Sequence, residues 1–160
     1  MRVLIDGTTL LLRSAGVKNY IYHWVRALWK IAGKRTIHVF PHIRSLEELS
    51  HEESPVRLAA TPPRIAWVLL CHIRLNRALD LTIGGVDVFH ASLHVANPPR
   101  SPALTGTLHD FTCSLMPETH TASNVKATLR YTELLKQRAR RVIAVSALTK
   151  SDAVRLMGFD

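Results

Sequence analysis

Arg140-Arg-Val-Ile-Ala-Val-Ser146 runs directly into Ala147-Leu-Thr-Lys-Ser-Asp152 and on to Gly158. The first part is a short β-branched run and reads as a strand. Ser146 is an N-cap residue type, because its side-chain oxygen can accept from an early helical N–H. A helix is therefore predicted over Ala147 to Met157, with Gly158 as its stop. A strand that hands over at once to a capped helix is a βα unit, and such units build parallel sheets.

The same alternation extends outward through the chain. Upstream, Ser123 to Arg140 reads as a helix, with Ser123 as its cap and Val125, Leu129 and Leu135 facing inward. Before it, Thr105-Gly-Thr-Leu-His109 reads as a strand running into Asp110, and Val86-Asp-Val-Phe-His90 as another. Pro98, Pro99 and Pro102 mark a long loop between those two. Gly84-Gly85 closes a helix predicted over Arg64 to Leu79. That helix has an apolar stripe of Ile65, Val68, Leu69 and Ile73 and a basic edge of Arg64, Arg74 and Arg77. Residues 42–63 are polar and proline-punctuated and read as a loop with a short helix or strand.

At the start of the chain, Arg2-Val-Leu-Ile-Asp6 reads as a buried strand feeding a loop. Val17, Tyr20, Ile21, Trp24, Val25, Leu28 and Ile31 then recur at spacings of three and four, the signature of an amphipathic helix. Lys18, Asn19, His23, Arg26 and Lys30 take its outer face, and Gly33 ends it. Thr36 to Phe40 is the next strand. The order β-α-β-loop-α-β-β-α-β-α predicts one α/β domain, a parallel sheet with helices on both faces.

Composition bounds the function classes. The chain has 160 residues, of which 47% are apolar, enough for a core without staples and inconsistent with disorder. Lys and Arg exceed Asp and Glu by nine, so an anionic partner is expected: a phosphate ester, a nucleotide, nucleic acid or an acidic membrane face. Cys71 and Cys113 lack metal or scaffold spacing and read as buried thiols. The longest apolar run, Ile65 to Cys71, is too short to span a bilayer. Asp6, Gly7 and Arg13 break any signal-peptide pattern. The expected location is cytoplasmic; the plain reading of the basic helices is a solvated face, and the sharper one is peripheral contact at the inner membrane face. Trp67 and Leu70, beside the arginines, are the candidates for contact with an anionic membrane.

In parallel sheets ligands bind outside the carboxyl ends of the strands. Gly16 stands there before the first helix, where free N–H groups and the helix dipole suit a diphosphate. A tight turn would need the same glycine. His109 can bond a sugar hydroxyl or carry a proton, and Asp110 can orient it or hold the loop. His90 and Ser92 end the preceding strand and offer the same choice between ligand contact and structural bonding. Ser146 is a cap that can also contact an anion, and Lys150 lies one turn on. There is no nucleophile elbow, no HExxH or other metal-ligand set, and no nucleic-acid-binding motif. No cofactor or metal is therefore expected, and nucleic acid stays a minor option.

Four stretches in order look familiar. Arg2 to Asp6 followed by Gly16-Val-Lys-Asn-Tyr20 resembles the glycine-containing first loop of GT-B glycosyltransferases of the GT4 type. Asp87-Val-Phe-His-Ala-Ser92 resembles their next strand and loop. Thr107-Leu-His-Asp110 with Pro117-Glu118 resembles their T-x-H-D … P-E stretch. Arg140 to Asp152 resembles their R-V-I-A-V-S-x-x-T-x-x-D stretch, the most specific of the four. The resemblance implies a Rossmann-like, acceptor-side N-terminal domain of a retaining, metal-independent, nucleotide-sugar-dependent enzyme. It implies Gly16 and Val17 near the donor diphosphate and His109 on the transferred sugar. The family's donor domain carries glutamates at E-x7-E spacing, and this sequence has no such pair. The expectation is half of a GT-B fold, inactive alone, with the donor domain in cis or on a partner chain. The acceptor would be a glycan or lipid-linked. The competing expectation is a non-enzymatic membrane-surface or scaffold subunit that recruits a catalytic chain.

Overall fold

The computed structural model describes residues 1–11, 16–40, 61–73 and 76–160. Residues 42–60 of the polar stretch, and the loop before Gly16, lie outside them. The elements are β1 (Val3–Asp6), a 3-10 turn (Thr8–Leu11), α1 (Gly16–Ala32), β2 (Ile37–Phe40), α2 (Thr61–His72), α3 (Asn76–Thr82) and β3 (Val88–Ala91). They continue with β4 (Ala103–Leu108), α4 (Thr112–Leu115), a 3-10 turn (Pro117–Thr119), α5 (Ala122–Arg138), β5 (Ala139–Ala144) and α6 (Ala147–Met157).

The five strands form one sheet in the order β2-β1-β3-β4-β5, and every neighbouring pair is parallel. The α/β parallel sheet read from the sequence is therefore the fold. The period-2 alternation of strand residues splits the core in two. Ile5 and Ile37 point to one face, where Ile21 and Val25 of α1 cover them. Leu4, Phe89, Leu104 and Leu108 point to the other, against Trp67, Leu79, Tyr131, Leu135 and Ala153 from α2, α3, α5 and α6. Cys71 and Cys113 are buried free thiols.

Helix boundaries follow local chemistry. Gly33 adopts φ +77° and Gly158 φ +65°, the left-handed conformation that stops α1 and α6. Ser146 caps α6, its hydroxyl accepting from the Thr149 N–H at 3.0 Å. The cap of α5 is Thr121, which accepts from Asn124 N, rather than Ser123.

Five other expectations are corrected. The segment read as one helix from Arg64 to Leu79 is two, α2 and α3. The face of α2 is reversed: Trp67 and Cys71 are buried, whereas Ile65, Leu69 and Ile73 are exposed. Trp67 turns inward because a polar partner waits there, and Leu70 packs beside it against the same core, so neither forms an exposed membrane contact. In α1, Lys18 is buried and Ile31 is exposed. The first turn of α1 packs against the Thr8–Leu11 turn, so its outer side is covered as well. Leu129 of α5 is also exposed, and Tyr131 and Thr132 are buried instead. Among the described residues no helix is long and apolar enough to cross a membrane.

Candidate functional site

The sheet order reverses direction at β1: the chain steps from β1 out to β2, then returns to β3 on the other side. Strands diverge at such a point, and a crevice opens at their carboxyl ends. At the end of β1 the Asp6 carboxylate is 1% exposed. One carboxylate oxygen accepts from Thr8 Oγ1 at 2.7 Å and from Trp67 Nε1 at 3.0 Å. The other accepts from Ser92 Oγ, which in turn accepts from His94 N at 3.2 Å. Ser92 is thus buried and bonded to Asp6.

A second joint holds β3 and β4 where their ladder ends. The last register pair is Ala91 with Gly106. Just beyond it, the Tyr131 hydroxyl donates to Ala91 O at 2.8 Å and accepts from Thr107 N at 3.2 Å. It reaches there because Gly106 has no side chain: a Cβ would meet Tyr131 Oη and Leu135 Cδ2 at 2.6 Å.

On the α1 side, His90 is 3% exposed, and both ring nitrogens are engaged, Nδ1 with Thr105 Oγ1 at 2.9 Å and Nε2 with Thr107 Oγ1 at 3.2 Å. Trp24 covers it at 4.6 Å between ring centroids. Burial drives its pKa down to about 4, and His109 adds to the shift, so the ring is neutral. His90 is a buried brace for β4.

His109 is placed differently. It follows β4 at the carboxyl edge, and its ring sits edge-on to Tyr20, centroids 4.9 Å apart. Its carbonyl accepts from Thr149 Oγ1 at 3.0 Å, which ties it to the start of α6. Among the described residues its ring nitrogens have no hydrogen-bond partner. Partial burial lowers its pKa, against the opposing pull of Asp110. The imidazole is neutral at pH 7, with one donor and one acceptor nitrogen available. Asp110 accepts from the Thr112 N–H at 2.9 Å and the Thr112 hydroxyl at 2.6 Å, starting α4. Burial would raise its pKa, but those bonds and the imidazoles of His109 and His120 outweigh it and hold the carboxyl low.

Tyr20 lies one turn into α1, about 6 Å along the axis from Gly16. Tyr20 of α1 and Thr149 of α6 both touch His109, and neither helix carries an acidic residue in its first turn. Gly16 is exposed, and a Cβ there would meet nothing within 4 Å. Its φ is not positive either. Neither packing nor backbone conformation asks for glycine at this position. Val17 is half-buried against the α1-side core. Lys150 is exposed, while the Ser146 hydroxyl is occupied by Thr149.

The fold thus brings Gly16, His109, Asp110, Ser146 and Lys150 to one edge and sets His90 and Ser92 beneath it. Sequence reasoning missed Tyr20 as a neighbour of His109, because it read Tyr20 only as part of an apolar stripe. Asp6, Trp67 and Tyr131 were missed as well, since their partners lie 24 to 86 residues away. Among the described residues no three His, Cys, Asp or Glu side chains gather as a metal site. No protein-family model matches the chain, and neither does any curated protein or solved structure.

Proposed function

We propose that this chain is the acceptor-side domain of a retaining, metal-independent glycosyltransferase of the GT-B, GT4 type. It would serve transfer of a sugar from a nucleotide-sugar to a glycan or lipid-linked acceptor. The observation that carries the reading is His109. A neutral imidazole whose ring nitrogens have no hydrogen-bond partner among the described residues stands at the carboxyl edge. Tyr20 of α1 contacts the ring, Thr149 of α6 bonds the carbonyl of the same residue, and neither helix has an acidic residue in its first turn.

Each part has a role in this reading. The donor diphosphate lies at the N-terminus of α1, where free N–H groups and the dipole stabilise the charge that grows as it leaves. Gly16 leaves room for that approach. His109 bonds a hydroxyl of the transferred sugar, steadied by Tyr20 and by Thr149 on its carbonyl. Asp110 shapes the turn that presents it. Lys150 adds positive charge at the second helix start. A donor-binding half, with glutamates at E-x7-E spacing, closes over this edge, aligns the acceptor hydroxyl and excludes water. That half is not in this sequence and is supplied in cis or by a partner chain, so the domain is inactive alone. The reading places the work in the cytoplasm, at the inner face of the membrane.

The test is His109→Ala in the assembled enzyme, with nucleoside diphosphate release followed against a panel of nucleotide-sugars. Turnover should fall about 100-fold, the scale of one well-placed polar contact in a transition state, with the circular dichroism spectrum unchanged. Turnover equal to the unmodified enzyme would refute the role of His109 and with it the reading.

A further inference from the structure

Among its described side chains, α2 is apolar on both sides. Its inner side is filled by Trp67 and Cys71. Every exposed residue described on it is also apolar: Pro62, Ile65, Ala66 and Leu69, with Ile73 just beyond its end. The Ile73 N–H still donates to Leu69 O at 2.8 Å, so the helical turn carries through. Ile65, Leu69 and Ile73 recur every four residues and form one stripe, at 53%, 54% and 43% exposure. On α3, Arg77 and Leu81 stand four residues apart on a shared face, both exposed, Leu81 at 84%. A surface helix ordinarily sets polar residues opposite its buried stripe, whereas Ile65, Leu69 and Ile73 set hydrocarbon there.

Charge selects what covers it. The chain carries a net charge of +9, so a second copy is repelled whereas an anionic surface is attracted. The stripe is purely hydrocarbon and makes no hydrogen-bonding demand on its partner. An acyl layer meets that condition, and an arginine nearby meets the phosphates above it. We propose that the outer face of α2 is a docking surface for an anionic lipid bilayer. Ile65, Leu69 and Ile73 enter the boundary between headgroups and acyl chains, and Arg77 sits at phosphate level. This inference rests on the membrane placement in the sugar-transfer reading but not on its chemistry, since none of these residues lies at the His109 edge, and vesicle binding fails or holds independently of turnover.

The experiment is co-sedimentation of the full 160-residue chain with phosphatidylglycerol-containing vesicles and with pure phosphatidylcholine vesicles. Binding is expected to the anionic vesicles, to weaken with salt, and to be much weaker on the neutral ones. Leu69→Asp should lower partitioning about tenfold, because a half-exposed leucine loses its transfer into hydrocarbon. Ile65→Asn should act in the same direction, so the reading survives should one variant fold poorly. Ile31→Asp, at a position 83% exposed at the end of α1, should bind as the parent does. No sedimentation at low salt, equal sedimentation with both vesicle types, or undiminished binding by the folded stripe variants would overturn the proposal. So would self-association of the parent chain that the stripe variants abolish while vesicle binding persists.

Discussion

Replacing Asp6 by alanine removes the acceptor on which three buried donors converge. Thr8, Trp67 and Ser92 are 7%, 3% and 8% exposed, so water does not readily take the carboxylate's place. The two hydroxyls can rotate toward other acceptors. The Trp67 N–H cannot, because its ring is wedged between Phe40 at 4.7 Å and Phe89 at 6.2 Å. A buried donor left unmet costs about 1–3 kcal/mol, and a bond to a charged group is worth about 1.5–3 kcal/mol. Part of the loss is offset because the variant no longer buries a carboxylate. The net expectation for Asp6→Ala is about 3 kcal/mol, a fall in Tm of about 10 °C for a domain of this size. Asp6→Asn keeps one carbonyl oxygen for Trp67 and Thr8, and Ser92 can turn to accept from the new amide. It should cost about 1 kcal/mol. Urea unfolding followed by far-ultraviolet circular dichroism measures both. An alanine variant within 0.5 kcal/mol of the parent (roughly the noise of a neutral surface change) would refute the reasoning. So would an asparagine variant as damaged as the alanine one.

Three further outcomes follow from the same geometry. His90 is neutral in the fold with a pKa of about 4, against the ordinary histidine value of 6.5. Between those values the unfolded chain binds more protons, so stability is full above pH 6.5 and falls as pH drops toward 4, by about 3 kcal/mol in all. His90→Gln should flatten that part of a pH–stability curve, and an unchanged slope would contradict the assignment. Gly106→Ala should destabilise by about 2 kcal/mol through overpacking against Tyr131 and Leu135, seen as a lower urea midpoint. Gly16→Ala should leave Tm unchanged, since its Cβ meets nothing, yet weaken nucleotide-sugar turnover in the assembled enzyme. Equal turnover would mean that no ligand approaches this backbone.

The sequence made the alternation of strands and helices legible because each strand is short and β-branched and each turn is punctuated. The run from Arg141 to Ser146 and its cap show this best, since both signals are local. The α1 stripe was readable for the same reason, apart from Lys18 and Ile31 near its ends, where neighbours and solvent override the 3.6-residue period. The face of α2 was not legible. Ile65, Leu69 and Ile73 satisfy helical spacing as well as Trp67 and Cys71 do, and only the distant Asp6 carboxylate decides which side turns inward. The site divides in the same way. His109 and Gly16 were visible as punctuation at strand and helix ends. That His90 is saturated by Thr105 and Thr107 while His109 is not depends on strand register, which composition does not encode.

The central claim is that this domain works as the acceptor side of a two-domain transferase. The most direct measurement is the intact mass of the native protein, purified gently together with its donor-dependent release of nucleoside diphosphate. Activity that travels with a second α/β unit bearing paired glutamates, in the same polypeptide or tightly bound to it, is the predicted result. A native species of 17.9 kDa, free of any partner and inert toward every nucleotide-sugar, would contradict it.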